Sequence, residues 1–303
     1  MRILYYNNSW FTNIGEAFID IGAMQLLHKI FPECQLINVS NQNRGYTEMV
    51  CKREKIDNPY EQDTETFRMF EYYDGDYFVM SGMFIADEFL QTPWSEEIIK
   101  LAERGVKVIF LGMGQALYSE EETENFKRYL DKIRPVLFVS RDDVTYDNFK
   151  DCCPALKGLD CAFWVKDIYD PRGASYKPYN VVTYNRSPEP ENLKQLDNVI
   201  RAFHMGWYLK PKHLKDNLLI SDIPYDYLTL YANADRVYTD LVHATISALQ
   251  YERYVKFERV DKRGYAIDAL ENTLVNEEGF LYINETDLEN QKRSIVDRIK
   301  NML

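Results

Sequence analysis

The chain has 303 residues, 46% of them hydrophobic and 28% charged, so it can bury the cores of about two domains of ordinary size. Its 36 Lys and Arg residues stand against 48 Asp and Glu, and the formal net charge of −12 argues against a nucleic-acid partner. That charge does not exclude a small anionic ligand, which needs only a few local cations.

The five cysteines include no Cys-x-x-Cys pair, which favours reduced thiols in a cytoplasmic protein. One Arg and the run ILYYNN begin the chain, a pattern typical of a first strand and not of a signal peptide. No apolar run approaches the roughly 18 residues that a transmembrane helix needs. We therefore expect a soluble, cytoplasmic protein.

In the first half of the chain, short apolar runs alternate with stretches of helical periodicity. The predicted strands are Arg2–Tyr6, Gln35–Val39, Tyr77–Met80, Val106–Leu111, Pro135–Val139 and Leu156–Leu159. The predicted helices are Glu16–Ile30, Ser95–Arg104, Glu121–Ile133 and Asp143–Phe149. The segment Ser40–Gln62 is polar and rich in Asn, which predicts a mobile loop or excursion. This alternation indicates an α/β fold with a doubly wound, mostly parallel sheet.

The second half repeats the alternation after Asp167–Pro178, which has two Pro, one Gly and little periodicity and is the best linker. Its predicted strands are Asn180–Tyr184, Asn217–Ile220, Arg236–Thr239 and Tyr254–Phe257, and its predicted helices are Glu191–Phe203, Tyr225–Ala232 and Ala244–Gln250. We expect one lobe over residues 1–166, a second over 179–284, and an amphipathic C-terminal helix over 285–303 that packs back across the lobes. Two such lobes would form a ligand cleft between the carboxyl ends of their strands.

The turn between strand 236–239 and the following helix contains Asp240 and His243. In open α/β sheets, ligands bind at the carboxyl ends of the strands, and the amides of a helix N-terminus favour anions. The alternative is that Asp240 caps the helix and His243 is an ordinary residue of its first turn.

The loop before the first helix contains Asn13, Gly15 and Glu16. Gly15 permits close approach of another group to the backbone, Asn13 can cap the helix, and Glu16 suits the positive end of its dipole. Such an arrangement is common in helix capping, so by itself it points only weakly to a function.

Three further turns follow predicted strands. The Gly112-Met113-Gly114 turn lacks a G-x-G-x-x-G fingerprint, so a dinucleotide site is unsupported. Ser140–Asp143 brings together a cation and carboxylates, either for a ligand or as a helix cap with a local ion pair. Arg186 places a guanidinium at another strand end, where its planar fork can bind a carboxylate or phosphate.

The histidines are dispersed, and no Cys/His cluster has the spacing of a metal site. His204 lies near Trp207 in sequence and could be a base, but a lone His beside aromatic residues is more often a packed one. The residues present fit chemistry on an anionic substrate without a metal.

Taken in chain order, these turns resemble the motifs of the polysaccharide pyruvyl transferase family. The similarity runs from residue 1 to about residue 270. The matching elements are Asn13, Gly15 and Glu16 for an Asn-x-Gly-Asp loop, Ser81-Gly82 and Gly112–Gln115 for glycine turns, Ser140–Asp142 for Ser-x-Arg-Asp, Asp160–Phe163 for Asp-x-Ala-Phe, Arg186 for an Arg after the first strand of the second lobe, and Asp240–Ala244 for Asp-Arg-Leu-His-Gly.

The resemblance implies two Rossmann-like lobes in a glycosyltransferase-B-like architecture. It implies transfer of the enolpyruvyl group of phosphoenolpyruvate to sugar hydroxyls, with formation of a pyruvate ketal, in assembly of a bacterial capsule or exopolysaccharide. The acceptor would be a sugar or a lipid-linked oligosaccharide, with the enzyme in the cytoplasm and in peripheral contact with the inner face of the membrane. Phosphoenolpyruvate would be the donor substrate, with no further cofactor, and the oligomeric state stays open.

The resemblance also implies roles for individual residues. Arg186 would bind the anion, His243 would act as general acid or base, and Asp240 would orient His243 or cap its helix. The residues expected to line the opposite wall, for the sugar, are Asn13, Gly15, Glu16, Gly114, Arg141 and Asp142.

Two substitutions depart from the family pattern, since Leu241 stands where the family has Arg and Ala244 where it has Gly. Either another cation replaces that Arg, with Arg236, Arg263 and Lys256 as the candidates, or the chain uses another donor, or it has lost the reaction. A nucleotide-sugar-dependent glycosyltransferase and a non-catalytic relative that binds a glycan therefore stay open as alternatives.

Overall fold

The computed structural model describes residues 1–7, 9, 13–40, 69–82, 85–174, 177–204 and 217–303. The chain forms two compact units, the first comprising Met1–Ser9, Leu26–Asp160 and Val296–Leu303 and the second Trp10–Gln25 and Cys161–Ile295. The domain boundaries expected from the sequence stay a prediction, as do the interpretations of Trp207 and of segment 41–62, which lie outside the described residues.

The first unit contains a parallel sheet with the strand order β2-β1-β3-β4-β5-β6. Its strands are β1 Arg2–Asn7, β2 Gln35–Ser40, β3 Tyr77–Ser81, β4 Lys107–Met113, β5 Leu137–Ser140 and β6 Ala155–Lys157. The helices from this half of the chain are α1 Ile14–Ile30, α2 Met69–Tyr72, α3 Asp87–Leu90, α4 Pro93–Glu103, α5 Glu120–Ile133 and α6 Asp143–Phe149. The central strands β3, β4 and β5 are buried on both faces, as their nearly continuous apolar runs require. Phe110, Phe126, Phe138 and Phe149 meet in tilted and edge-to-face pairs in this core.

The second unit contains a sheet with the order β12-β13-β11-β10-β7-β8-β9, in which β7 to β11 are parallel and β12 and β13 antiparallel. Its strands are β7 Asn180–Thr183, β8 Val199–Ala202, β9 Leu218–Leu219, β10 Arg236–Thr239, β11 Tyr254–Phe257, β12 Leu274–Val275 and β13 Leu281–Tyr282. The helices from this half of the chain are α7 Pro224–Ala232, α8 Val242–Gln250, α9 Tyr265–Asp268 and α10 Glu285–Met302, with 3-10 turns at Cys161–Asp167, Glu191–Gln195 and Lys262–Gly264.

The strand order of the second sheet reverses between β7 and β10. The chain passes from β7 to β8 and β9 on one side, and from β10 to β11 on the other. The loops after β7 and β10 therefore leave in opposite directions and open a crevice at the carboxyl ends of the two strands, which is where doubly wound sheets bind ligands.

Most predicted elements overlap the observed ones, but the helix predicted at Glu191–Phe203 is wrong. The structure has a 3-10 turn at Glu191–Gln195, a positive φ of 50° at Asn198, and then strand β8. Val199 is buried in β8, which pairs in parallel with β7. Pairing with a neighbouring strand here outweighs local helical periodicity.

The described part of the chain contains no helix that is both long and apolar enough to cross a membrane.

Candidate active site

Asp240 follows β10 directly and holds the loop that follows β7. Its carboxylate is 2% exposed, and Oδ1 accepts a hydrogen bond from the backbone N–H of Asn185 at 3.1 Å. Oδ2 accepts three more, from Arg186 N at 2.9 Å, Ser187 N at 2.6 Å and Ser187 Oγ at 3.0 Å. A buried carboxylate needs such donors. Asp240 therefore fixes the path of the chain across the crevice between β7 and β10.

The expected capping of α8 by Asp240 is not what the structure has. The N-cap residue is Leu241, no side chain caps the helix, and the N–H of Leu241 donates to Thr239 Oγ1 at 2.9 Å. The carboxylate turns back toward the preceding loop, where its four donors lie.

Arg186 extends from this loop with its side chain 32% exposed. Its Nη1 lies 3.0 Å from Asp261 Oδ2, an oxygen that also accepts a bond from Arg263 Nε at 2.9 Å. The loop is further held by Arg201, whose guanidinium forms two bonds to the carboxylate of Glu189 at 2.7 and 2.9 Å. Arg186 thus combines a fixed backbone with a solvent-accessible guanidinium.

His243 is the second residue of α8 and packs against the first turn of α1. A Cβ built on Gly15 would lie 2.3 Å from His243 Nδ1, so only glycine allows the backbone to approach the ring this closely. At the start of the same helix Asn13 Nδ2 donates to Glu16 Oε1 at 3.1 Å. The sequence predicts Asn13, Gly15 and Glu16 on the wall opposite His243, whereas in the structure Gly15 is an immediate neighbour of His243 within the second unit.

His204 is buried beneath these loops and ties them together. Its backbone N–H donates to Asn185 Oδ1 at 2.7 Å, and its carbonyl accepts from the N–H of Ile14 at 3.1 Å. Its Nε2 lies 2.6 Å from the hydroxyl of Tyr231. Burial, together with the charge of His243, lowers the pKa of His204 from 6.5 to about 3, so the ring is neutral at physiological pH. The expectation of a packed histidine is met, but its contacts join distant segments and leave no local sequence signal.

The other predicted site residues, Gly114, Arg141 and Asp142, belong to the first unit and are part of its interior. Arg141 is 2% exposed, and its Nη1 lies 2.9 Å from Asp160 Oδ2, which is fully buried. A Cβ on Gly114 would lie 2.3 Å from Arg141 Nε, so glycine makes room for the guanidinium. Asp142 caps α6 by accepting from the N–H of Thr145 at 2.7 Å. These contacts are structural, and substrate binding by the three residues stays a prediction.

Leu241, which stands in place of the family's Arg, is 6% exposed. Of the three candidate replacements, Arg236 is the first residue of β10, at the amino end of the strand, and pairs with Glu278 at 2.7 Å. Lys256 donates to the carbonyl of Glu278 at 2.8 Å. Arg263 alone of these three candidates shares a partner with Arg186.

Among the described residues, no three His, Cys, Asp or Glu side chains converge in the manner of a metal site.

Two sheets of mostly parallel strands, with polar turns at the carboxyl edge of the second, define an α/β protein with two Rossmann-like domains, of the glycosyltransferase-B-like class that the sequence predicts. The sequence matches the model of the family described as polysaccharide pyruvyl transferase over residues 13–255. The chain belongs to this family.

The fold is also similar to that of several solved structures. A Listeria monocytogenes protein assigned as a UDP-N-acetylglucosamine 2-epimerase has a TM-score of 0.59 at 11% identity, covering 99% of this chain and 89% of that one. MnaA of S. aureus, solved with UDP, has a TM-score of 0.58 at 11% identity, covering 99% and 90%. UDP-GlcNAc 2-epimerase from Neisseria meningitidis, bound to UDP-GlcNAc, has a TM-score of 0.54 at 10% identity, covering 100% and 93%. At these identities the likeness shows the fold alone. No curated protein matches the sequence.

Proposed function

We propose that this protein transfers the enolpyruvyl group of phosphoenolpyruvate to sugar hydroxyls and forms a pyruvate ketal in surface polysaccharide biosynthesis. Family membership supports the reaction class. The observation that carries the assignment of residues is that Asp240 holds the backbone of Arg186 beside the start of α8, where His243 lies. In this proposal Arg186 supplies a cation, and His243 an acid/base group, at the crevice of one sheet.

The reaction determines what the site must supply. The methylene carbon of the donor gains a proton, two acceptor hydroxyl oxygens form bonds to the carbon that carries the phosphate, and the bond from that carbon to the phosphate oxygen breaks. Of the two hydroxyl protons, one balances the new methyl group and the other the released phosphate. A general acid/base and a group that binds the anion are therefore both required.

His243 is the acid/base group in this proposal, and Arg186 binds the donor's carboxylate or phosphate. Asp240 is a positioning residue, because it contacts the backbone that carries Arg186. A positioned acid/base contributes about 10²–10⁴-fold to rate. The acceptor is a sugar or lipid-linked oligosaccharide presented at the inner face of the membrane.

The test is calorimetry with phosphoenolpyruvate, followed by incubation with hexosides that carry free neighbouring hydroxyls. Phosphate release is measured together with the methyl signal of the ketal by NMR. We expect His243→Ala to lower turnover at least about 100-fold and Arg186→Gln to weaken donor binding. Arg236→Gln is the matched control, since Arg236 is an exposed, ion-paired Arg at the other end of the sheet. Failure of the wild-type protein to bind millimolar phosphoenolpyruvate would refute the donor assignment.

The second candidate function is transfer from a nucleotide sugar. Its support is that proteins of similar fold were solved with UDP and with UDP-GlcNAc. Binding of UDP, and not of phosphoenolpyruvate, in the same titration would favour it.

The third candidate is a non-catalytic relative that binds a glycan, which Leu241 supports by removing a family cation. In cells, unchanged polysaccharide in the Asp240→Asn and His243→Ala strains would favour it.

A further inference from the structure

Two guanidinium groups share a single carboxylate oxygen beside the candidate active site. Asp261 Oδ2 lies 3.0 Å from Arg186 Nη1 and 2.9 Å from Arg263 Nε, and it also accepts a bond from Arg263 Nη2. Two positive charges face one negative charge, so the three side chains carry a net charge of +1. A cluster of this kind retains the capacity to attract a further anion.

The cluster lies at the carboxyl edge of the second sheet. β11 runs parallel to β10, and just beyond β11 the N–H of Glu258 donates to the carbonyl of Thr239 at 2.8 Å. The loop that leads to Asp261 and Arg263 therefore leaves the sheet next to Asp240. Asp240 in turn holds the backbone of Arg186. Two separate loops thus converge on this one edge.

The three side chains are accessible to a ligand. Their exposed fractions are 32% for Arg186, 34% for Asp261 and 24% for Arg263. The carboxylate also has a local structural role, since Asp261 Oδ1 accepts the N–H of Arg263 at 3.0 Å and caps the 3-10 turn at Lys262–Gly264. An Asn at this position would keep that cap while removing the charge.

We propose that Arg186 and Arg263 form a two-guanidinium site for the phosphate or carboxylate of the donor, with Asp261 as the internal anion that the ligand displaces. As a donor site, this inference rests on the proposed function. Arg263 supplies the second cation that the chain lacks at Leu241. The guanidinium fork matches the oxygen spacing of a phosphate or carboxylate and forms two bonds at once.

The internal carboxylate gives the proposal a distinctive signature. Arg263→Gln removes one charged partner and should weaken anion binding about tenfold. Asp261→Asn removes the competing charge and should strengthen binding, by severalfold up to about tenfold. If Asp261 and Arg263 were only a structural ion pair, replacing the one and replacing the other would not change anion affinity in opposite directions.

The experiment is calorimetric titration of inorganic phosphate and of phosphoenolpyruvate into the wild-type protein, Arg263→Gln, Asp261→Asn and the Arg236→Gln control. Arg263→Lys keeps the positive charge but not the planar fork, so it should bind the anions with intermediate affinity. If circular dichroism shows that Arg263→Gln does not fold, Arg263→Lys replaces it as the test variant. Unchanged affinity in Arg263→Gln, weaker binding in Asp261→Asn, or no binding of either anion by the wild-type protein would overturn the inference.

These titrations, extended to Arg186→Gln and combined with the phosphate-release assay, separate this inference from the proposed function. Phosphate binding that depends on both arginines, without turnover of phosphoenolpyruvate, would retain the anion site and reject the transferase. Turnover of phosphoenolpyruvate with donor affinity unchanged in Arg263→Gln would retain the transferase and reject the two-guanidinium site.

Discussion

Replacement of Asp240 separates its structural contribution from its effect on Arg186. Asp240→Ala removes the acceptor of four hydrogen bonds, from Asn185 N, Arg186 N, Ser187 N and Ser187 Oγ. A buried donor without a partner costs about 1–3 kcal/mol, and rearrangement of the loop recovers part of the sum. We expect the free energy of unfolding to fall by about 3–5 kcal/mol.

Asp240→Asn is the finer perturbation. The single amide oxygen can take the place of Oδ2, which has three donors, but the NH₂ group then faces the N–H of Asn185. The charge and one acceptor are lost, so we expect a smaller cost of about 1–2 kcal/mol. Both variants should also weaken anion binding, because the backbone at Arg186 loses its anchor.

Urea unfolding, monitored by circular dichroism, measures the free energies of unfolding of Asp240→Ala and Asp240→Asn. Asp226→Ala is the control, since Asp226 is an exposed carboxylate of the same unit that accepts from Ser221 Oγ, and it should change stability by no more than about 0.5 kcal/mol. If Asp240→Ala is as stable as that control, or if it leaves anion affinity unchanged, the carboxylate does not anchor the loop that carries Arg186.

Three further variants test other contacts. Gly15→Ala places a methyl group 2.3 Å from His243 Nδ1 and should lower turnover about tenfold or more in the phosphate-release assay, and an unchanged rate would contradict the close approach. His204 has a folded pKa of about 3 against 6.5, so below pH 6.5 the unfolded state binds a proton that the folded state does not. Its burial should therefore cost about 1.4 kcal/mol of stability per pH unit between pH 6.5 and 3. This pH dependence of the free energy of unfolding should be missing from urea titrations of His204→Gln. Parallel pH profiles of the wild-type protein and the variant would contradict the low pKa of His204. Asp160→Asn leaves the buried Arg141 guanidinium without its carboxylate and should cost about 3–5 kcal/mol in the same urea assay, and a loss below about 1 kcal/mol would refute a buried pair.

The sequence predicts the sheets and the position of Asp240 and His243 because those features are local. Alternating apolar runs mark the parallel strands, and polar residues at a strand end mark the turns. Helix α8 begins two residues after Asp240, close to the predicted start. The order of the strands then places the turn beside the point where the strand order of the sheet reverses.

The contacts of these residues could not be predicted in the same way. The partners of Asp240 lie 53 to 55 residues away, and Arg186 meets Asp261 across 75 residues. Nothing in the local pattern distinguishes a carboxylate that caps its own helix from one that anchors a distant loop. The same limit explains the error at Glu191–Phe203, where pairing of β8 with β7 decides the structure.

We propose that the anionic donor binds at the carboxyl edge of the second sheet, between the loop after β7 and the start of α8. Backbone hydrogen–deuterium exchange with and without saturating phosphoenolpyruvate tests this binding site. We predict slower exchange in peptides that cover residues 184–190, 240–245 and 258–264. Binding of phosphoenolpyruvate with protection confined to peptides of the first unit would contradict binding at this edge.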